Sequence, residues 1–237
     1  MGGRSVEKSR KALSAGHFAP SLVSTRPGIF ADEAGVARCA WCRSSEVYRN
    51  YHDQEWGFPV TDDRRLFEKI CLEGFQAGLS WLTILNKREA FRKAFANFEA
   101  ERVVRFKDKD VARLLGDAGI VRHRGKIEST INNAKRVLEL RDECGSLSAY
   151  AWRYEPEPRS RPRRLTLAAL LEIGPSAEAT AMSKDLKRRG WSFVGPTTVY
   201  AFMQAMGLVN DHLDGCYVRE QAASARTALA RPARREP

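Results

Sequence analysis

Apolar residues recur every three or four positions through the middle of the chain, a spacing that predicts amphipathic helices. Before the clearest of these segments, Thr61, Asp62 and Asp63 resemble a helix start with negative charge in its first turn. The apolar face that follows consists of Leu66, Phe67, Ile70, Cys71 and Phe75. After Gly78, a second helix is predicted from the apolar positions Trp81, Leu82, Leu85, Phe91 and Phe95.

The same spacing predicts four further helices and no convincing strand. They cover residues 108–115, 125–140, 176–190 and 196–206. Asp108 and Ser176 are the expected N-caps, and glycine follows each of the last two helices. Residues 155–164 contain three prolines and are predicted to form a loop. We therefore predict an all-α fold with short connections and one compact domain.

The two ends of the chain lack this periodicity. Residues 1–37 and residues 218–237 are predicted to be flexible tails, the second of them basic. The intervening segment, residues 38–217, contains all five tryptophans and all five cysteines, so the core is expected there. No run of about 18 apolar residues occurs, and we expect no membrane span.

Charge and cysteine content narrow the functional classes. The chain of 237 residues has 40 Lys+Arg against 29 Asp+Glu, a formal net charge of +11, which favours a polyanionic partner such as nucleic acid. Many basic proteins never bind nucleic acid, so this signal alone is weak. Five cysteines without a recognisable signal peptide do not predict a disulfide framework, and we expect a cytoplasmic protein.

Two pairs of potential metal ligands lie near the ends of the central segment. Cys39 and His52 form the first pair, and His212 and Cys216, with three residues between them, form the second. A Cys₂His₂ set is the usual composition of a closed structural zinc site, which would join the two ends of the domain. Cys42 could replace Cys39 on spacing alone. Buried thiols and solvated histidines are the alternative.

A second candidate site lies where two of the predicted helices meet. Gly119 and Gly125 permit tight backbone geometry in the connection between the helices predicted at 108–115 and 125–140. The backbone N–H groups at the start of the second of these helices can bind phosphate. Arg122, Arg124 and Lys126 supply positive charge. The segment is predicted to contact the backbone of duplex DNA. An ordinary helix connection is the alternative.

The third candidate is a carboxylate among aromatic residues. Glu73 lies on the apolar side of its predicted helix. The aromatic residues near it or near the proposed metal ligands are Trp41, Tyr48, Tyr51, Trp56 and Trp81. Electron-rich rings suit a nucleobase, above all a cationic one, and a buried carboxylate can accept hydrogen bonds from an exocyclic amine. Alternatively, the rings belong to the core and Glu73 is paired at the surface.

Six motifs together resemble a known family. They are RCAWC (38–42), YHDQEWGFP (51–59), ICLEGFQAGLSW (70–81), DAGIVRHRGKI (117–127), KRRGWSFVG (187–195) and GLVNDHLDGC (207–216). Over roughly residues 38–217 the chain is similar to the Tag-type DNA-3-methyladenine glycosylases. This resemblance implies the helix-hairpin-helix glycosylase fold with one structural Zn²⁺ per chain.

The resemblance also assigns residues to roles. It implies that Glu73 and Tyr51 contact the base and act in catalysis, and that Gly78 and Leu79 fill the gap left by the extruded nucleotide. The implied base pocket consists of Glu73, Tyr51, Trp81 and Trp41, with Tyr48 and Trp56 nearby. The implied zinc ligands are Cys39, His52, His212 and Cys216. Cys39 is thereby favoured over Cys42, a residue that departs from the motif.

The implied activity is excision of 3-methyladenine from alkylated double-stranded DNA in base excision repair. Hydrolysis of the N-glycosidic bond would release the free base and leave an abasic site. The family lacks the catalytic aspartate of many related glycosylases, and neither Asp142 nor Asp211 has a supporting motif. No hairpin lysine suggests a Schiff base, so we expect a monofunctional, monomeric enzyme.

Two alternatives belong to other functional classes. One is a zinc-stabilised DNA-binding module that detects lesions without cutting, and the other is an enzyme that acts on a different small substrate. Release of free 3-methyladenine from methylated DNA separates the first alternative from a glycosylase. Strongly salt-dependent binding to duplex DNA would count against the second.

Overall fold

The computed structural model describes residues 26–233 of the chain. Within that range, two short strands pair antiparallel, with Ile29 opposite Cys39, and eleven α-helices and four single-turn 3₁₀ helices form the rest of the regular structure. The strands are β1 (Ile29–Ala31) and β2 (Ala37–Cys39). The helices are α1 (Glu46–Gln54), α2 (Asp63–Gln76), α3 (Trp81–Ala94), α4 (Ala100–Val103), α5 (Asp108–Gly116), α6 (Arg124–Cys144), α7 (Leu147–Ala151), α8 (Leu167–Ile173), α9 (Ala177–Arg188), α10 (Pro196–Ala205) and α11 (Val218–Ala228).

The six predicted helices are confirmed as α2, α3, α5, α6, α9 and α10, and side-chain caps explain several of their starts. Asp62 accepts a hydrogen bond from the Arg65 N–H before α2, and Ser176 accepts one from the Ala179 N–H before α9. Asp108 is the first residue of α5 instead of its cap. Described residues contain no helix long and apolar enough to cross a membrane.

Helix α2 lies at the centre of the packing. It contacts α3, α6, α7 and α10, and every residue from Leu66 to Phe75 is buried. Its apolar residues join an aromatic cluster in which the Phe75 and Phe91 ring centroids are 4.5 Å apart. Because neighbours surround α2, its polar residues are buried as well, including Lys69 and Glu73. The fold therefore places several charged groups of this helix inside the molecule.

The prediction of no strands is wrong for a short segment that belonged to the predicted N-terminal tail. Residues 1–25 lie outside the described range, whereas residues 29–37 contribute β1 and the start of β2. Ile29 is buried against Cys39 and Leu213. Each strand has only three residues, too few for an alternating pattern to stand out.

The predicted C-terminal tail is also corrected, because residues 218–228 form α11. Val218 and Ala222, four residues apart, are fully buried and face the body of the domain. Arg226 forms an ion pair with Glu155 on the same side. Two small apolar side chains among polar residues give too weak a sequence signal for a helix.

Helix α1 was not predicted either, and its composition explains why. The segment EVYRNYHDQ has no regular aliphatic face, and Tyr51 and His52 are its buried residues. Ser45 caps it by accepting a hydrogen bond from the Tyr48 N–H at 3.2 Å. The helix directs these two side chains inward, and both belong to candidate sites.

We expect Val218→Ala to lower the free energy of unfolding by about 2 kcal/mol, because it removes buried methyl groups and leaves a cavity under α11. Gln221→Ala on the exposed side of the same helix is the matched control and should be nearly neutral. Chemical denaturation measures both. Equal stability of the two variants would mean that α11 does not pack on the domain.

Candidate active site and metal centre

Four buried cysteine and histidine side chains converge from three parts of the chain. Cys39 ends β2, His52 lies on α1, and His212 and Cys216 lie in the loop before α11. One donor atom from each of the four falls within 4.8 Å of all the others. The sequence predicted this set, and the structure brings all four members together.

The separations within this cluster suit a tetrahedral metal ion. His212 Nδ1 lies 3.2 Å from His52 Nε2. Cys216 Sγ lies 3.4 Å from His52 Nε2 and 3.6 Å from His212 Nδ1. Cys39 Sγ lies 4.0 Å from His212 Nδ1. Metal–ligand bonds of about 2.0–2.3 Å in a tetrahedron place ligand atoms about 3.3–3.8 Å apart. The cluster could therefore hold a metal ion with only small adjustments.

The remaining ring nitrogens are held by groups outside the cluster. His52 Nδ1 lies 2.8 Å from Asp53 Oδ1, and His212 Nε2 lies 2.9 Å from the carbonyl oxygen of Trp56. Such partners orient metal-binding histidines and fix which nitrogen faces the ion. Gly57 has a φ of +84°, and a Cβ there would lie 2.9 Å from His212 Nε2. Glycine is therefore required beside this ligand.

The choice between Cys39 and Cys42 is settled by position. Cys42 is outside the cluster, and its thiol donates to the Cys39 carbonyl oxygen at 3.1 Å. Burial raises the pKa of the Cys42 thiol to about 12. Within the cluster, hydrogen bonds from Cys39 and the two histidines lower the pKa of Cys216, while the contact with Cys216 raises the pKa of Cys39, so Cys216 is the thiol favoured as a thiolate.

A separate slot lies between α1, α2 and α3, and Glu73 of α2 is joined to it through Lys69. Glu73 is 6% exposed, and the Tyr51 and Trp81 rings, whose centroids are 5.4 Å apart, line the slot. The Trp81 indole N–H has no hydrogen-bond partner among the described residues. A buried carboxylate beside two aromatic faces and a free donor can bind a flat, positively charged base.

Lys69 also belongs to this slot, and the sequence analysis missed it. Its Nζ lies 3.0 Å from Glu73 Oε1, donates to the Tyr51 hydroxyl at 2.6 Å, and sits 3.3 Å from the Trp81 ring centroid. The spacing of four between Lys69 and Glu73 was the available signal, because such residues share one helix face. A lysine on an apolar face was the second clue.

Burial opposes both charges of this ion pair, and each charge supports the other. Burial raises the pKa of Glu73, whereas Lys69 lowers it. Burial lowers the pKa of Lys69 to about 8, although Glu73 acts in the opposite direction. Lys69 therefore gives up its proton more readily than a surface lysine does.

The other predicted aromatic residues extend from the slot to the metal centre. The Trp41 ring centroid lies 5.0 Å from that of Tyr48 and 6.3 Å from that of Tyr51, and its side chain is 37% exposed. Trp56 lies 5.1 Å from Trp41 but also packs 4.8 Å from the His212 ring. Trp41 and Tyr48 thus border the slot, while Trp56 lies on the metal side.

The turn between α2 and α3 presents the predicted gap-filling residues beside the slot. Gly78 has a φ of +81°, and the Leu79 N–H donates to the Gln76 carbonyl oxygen to close the turn. Leu79 is 42% exposed. An exposed leucine next to a base slot has the chemistry of a wedge that enters a base stack.

Lys126 was predicted to contact phosphate, and the structure corrects this. Its side chain is buried, and Nζ donates to the carbonyl oxygens of Phe75 and Ala77 at 2.9 Å and 2.6 Å. These oxygens lie at the end of α2, where helical carbonyls lack intrahelical partners. Lys126 therefore fixes the turn that carries Leu79 and has no free charge for DNA.

The rest of the predicted DNA-contacting segment does lie at the surface. It connects α5 to α6, and Arg122 and Arg124 are exposed, the latter paired with Glu128 at 3.1 Å. Gly119 approaches α3 so closely that a Cβ there would lie 2.9 Å from the Ala90 side chain. Gly125 is in ordinary contact distance of its neighbours and has no positive φ.

Neither aspartate considered as a general base lies in the slot. Asp142 is exposed near the end of α6. Asp211 is buried and accepts hydrogen bonds from Tyr200 and Gln204 at 2.7 Å and 2.8 Å, and it is also paired with Arg161. A cavity of about 350 Å³ lies near Arg161, but none of the predicted site residues lines it.

Comparisons with known proteins point to one family. The methyladenine glycosylase family profile matches residues 41–220. DNA-3-methyladenine glycosylase 1 of Escherichia coli (strain K12) is 47% identical over 182 residues, which are 76% of this chain and 96% of that protein. The DNA-3-methyladenine glycosylase of Haemophilus influenzae is 43% identical over 185 residues, with 76% and 97% coverage.

Solved structures agree with these sequence relatives. A crystal structure of 3-methyladenine DNA glycosylase I (TAG) is 45% identical, has a TM-score of 0.69, and covers 76% of this chain and 98% of its own. The Staphylococcus aureus enzyme, whose structure was solved to explain 3-methyladenine recognition, is 40% identical with a TM-score of 0.70. That match covers 77% of this chain and 96% of the other.

We expect Lys126→Met to lower the free energy of unfolding by about 1–3 kcal/mol, because two buried carbonyl oxygens lose their donor. Arg124→Met should leave the stability unchanged and weaken binding to duplex DNA. Chemical denaturation and DNA titration separate the two effects. A Lys126 variant with full stability and the DNA-binding loss of the Arg124 variant would restore the phosphate-contact prediction.

Proposed function

The chain belongs to the methyladenine glycosylase family, and we propose that it excises 3-methyladenine from alkylated double-stranded DNA in base excision repair. The slot formed by Glu73, Tyr51 and Trp81 supports this function most directly, because it combines a buried carboxylate with aromatic faces. Methylation at N3 puts a positive charge on adenine. A neutral adenine lacks this charge and gains less from such a slot.

Binding requires the damaged nucleotide to leave the duplex, because the slot is too deep to reach a stacked base. We propose that Leu79 takes the place of the extruded nucleotide and that Arg122 and Arg124 bind the phosphate backbone. The Glu73 carboxylate then accepts hydrogen bonds from the amino edge of the base. Tyr51 adds a polar contact and Trp81 stacks on the ring.

The chemical step breaks the bond between the base and the anomeric carbon. A water molecule supplies its oxygen to that carbon, the bonding electrons go to the base, and one proton from the water passes to solvent. The cationic base thereby leaves as neutral 3-methyladenine, and an abasic site remains. Because the base is already positive, it is a good leaving group, and electrostatic binding in the slot does most of the work.

We propose that the enzyme is monofunctional and acts as a monomer in the cytoplasm. The segment between α5 and α6 offers no lysine for a Schiff base, since Lys126 Nζ is bound to two carbonyl oxygens. Thiolate metal ligands also suit the reducing conditions of the cytoplasm. Turnover should therefore give an intact abasic site without β-elimination products.

We propose zinc as the ion of the cysteine and histidine cluster, held by Cys39, His52, His212 and Cys216. Two sulfur and two nitrogen donors at tetrahedral separations favour Zn²⁺ over hard cations, which prefer oxygen. All four ligands come from protein, so no coordination site is left for substrate. The ion supplies cross-linking between the ends of the domain instead of chemistry.

Gly57→Ala should weaken zinc affinity by roughly 10- to 100-fold, because the new Cβ displaces the His212 ring that Trp56 orients. Gly35→Ala is the matched control: its φ of +80° imposes similar backbone strain, but its Cβ meets nothing within 4 Å. Chelator competition measures both affinities. Equal affinities, or wild-type protein with far less than one zinc per chain, would contradict the assignment.

The deciding experiment for the activity is a base-release assay on methylated duplex DNA with chromatographic identification of the products. We expect free 3-methyladenine from the wild type. Glu73→Gln should lower kcat/KM by roughly 10- to 100-fold, because it replaces a charge-assisted hydrogen bond with a neutral one. Glu139→Gln, on the surface of α6, should match the wild type.

Two results would count against this function. DNA binding without base release would indicate a module that only detects lesions. Full activity of Glu73→Gln would remove Glu73 from base recognition.

A further inference from the structure

The position that suits a cationic base is filled by the protein itself. Lys69 Nζ sits against the Trp81 face and between Glu73 and Tyr51, the same groups that the base is proposed to contact. The cavity left beside it is about 30 Å³. This space holds about one or two water molecules, so a purine enters only when the Lys69 side chain moves.

We propose that Lys69 is a positioning residue that keeps Glu73 ionised in the free protein and is exchanged for the positively charged base. This inference rests on the proposed function, since it concerns the same slot and a cationic ligand. The Lys69 ammonium acts as the resident cation, and the lesion brings the charge that replaces it.

Glu73 needs such a counterion. A fully buried carboxylate without a positive partner takes up a proton, and a protonated carboxyl does not attract a cation. Lys69 lies one helical turn away on α2 and provides the partner in the absence of ligand. The pocket is thereby kept ready with its acceptor ionised.

The exchange is easiest when Lys69 gives up its proton to solvent. Two positive charges beside the single carboxylate of Glu73 would repel each other. The acidic groups that line the cavity itself are already paired: Glu55 with Arg88 from α3 at 2.6 Å, and Glu68 with Arg92 at 2.8 Å.

The surroundings therefore offer no free carboxylate to a displaced ammonium. Arg65 adds a third positive group from α2, and Met206 adds an apolar one. With a pKa of about 8, Lys69 loses its proton at modest free-energy cost near neutral pH.

This exchange makes binding depend on pH in a defined direction. Below a pH of about 8, Lys69 is charged in the free protein, and each cation bound releases one proton. Affinity should therefore rise by up to roughly tenfold per pH unit as pH increases towards 8, and then level off. Protonation of Glu73 would weaken binding only at lower pH.

The probe is 3,9-dimethyladeninium, a permanently cationic analogue of the N3-methylated base, titrated into the full chain by calorimetry between pH 6.5 and pH 9. We expect the wild type to show the rise in affinity. Lys69→Met removes the counterion, so Glu73 takes up a proton, and the variant should bind the probe roughly tenfold more weakly than the wild type at pH 7. Its affinity should no longer level off near pH 8, because the proton released on binding then comes from Glu73.

Lys69→Arg keeps a positive partner for Glu73 but removes the ability of that partner to lose its proton. Its guanidinium keeps its proton throughout this range, so binding should be weak and independent of pH near 8. Lys135→Met, an exposed lysine on α6, is the matched control and should reproduce the wild-type profile. Thermal unfolding checks that each variant is folded.

Lys69→Met binding as tightly as the wild type at pH 7, or levelling off at the same pH as the wild type, would overturn the inference. So would a pH-dependent Lys69→Arg. Failure of the proposed function looks different, because it appears as absent base release by the wild type itself.

Discussion

The burial of α2 on all sides is the constraint on which the site depends. A helix with one exposed face would turn Lys69 and Glu73 towards water, where an ion pair four residues apart contributes little. Surrounded by α3, α6, α7 and α10, the same pair is removed from solvent, and the electrostatic interaction between its two charges becomes stronger. The protein accepts this electrostatic cost at the place where it needs a carboxylate that attracts cations.

The two sites depend on each other through α1. Successive residues of this helix, Tyr51 and His52, contact the base slot and the metal cluster respectively. The cluster fixes α1 against the loop before α11, and Trp56 packs between them. A structural ion can therefore define the position of Tyr51 without taking part in the chemistry.

Local periodicity was enough to predict α2 and three of its four neighbours, α3, α6 and α10, and the motifs led to the cysteine and histidine cluster and to Glu73. What failed depended on packing between distant segments. Lys126 follows an exposed basic stretch and looked like a phosphate ligand, yet its partners are carbonyl oxygens some fifty residues away. Lys69 broke the apolar pattern and was overlooked, because lysines are rarely buried unless paired. Val218 belongs to a helix whose partners could not be identified locally.

The metal centre also has a consequence for how the molecule is made. Cys39 and His212 are separated by 173 residues, so half of the donor set leaves the ribosome long before the other half exists. Closing such a long loop carries an entropic cost that ion binding offsets. Occupancy of the cluster by an ion would therefore require that synthesis has passed Cys216, since a chain that stops before His212 offers only two of the four side chains.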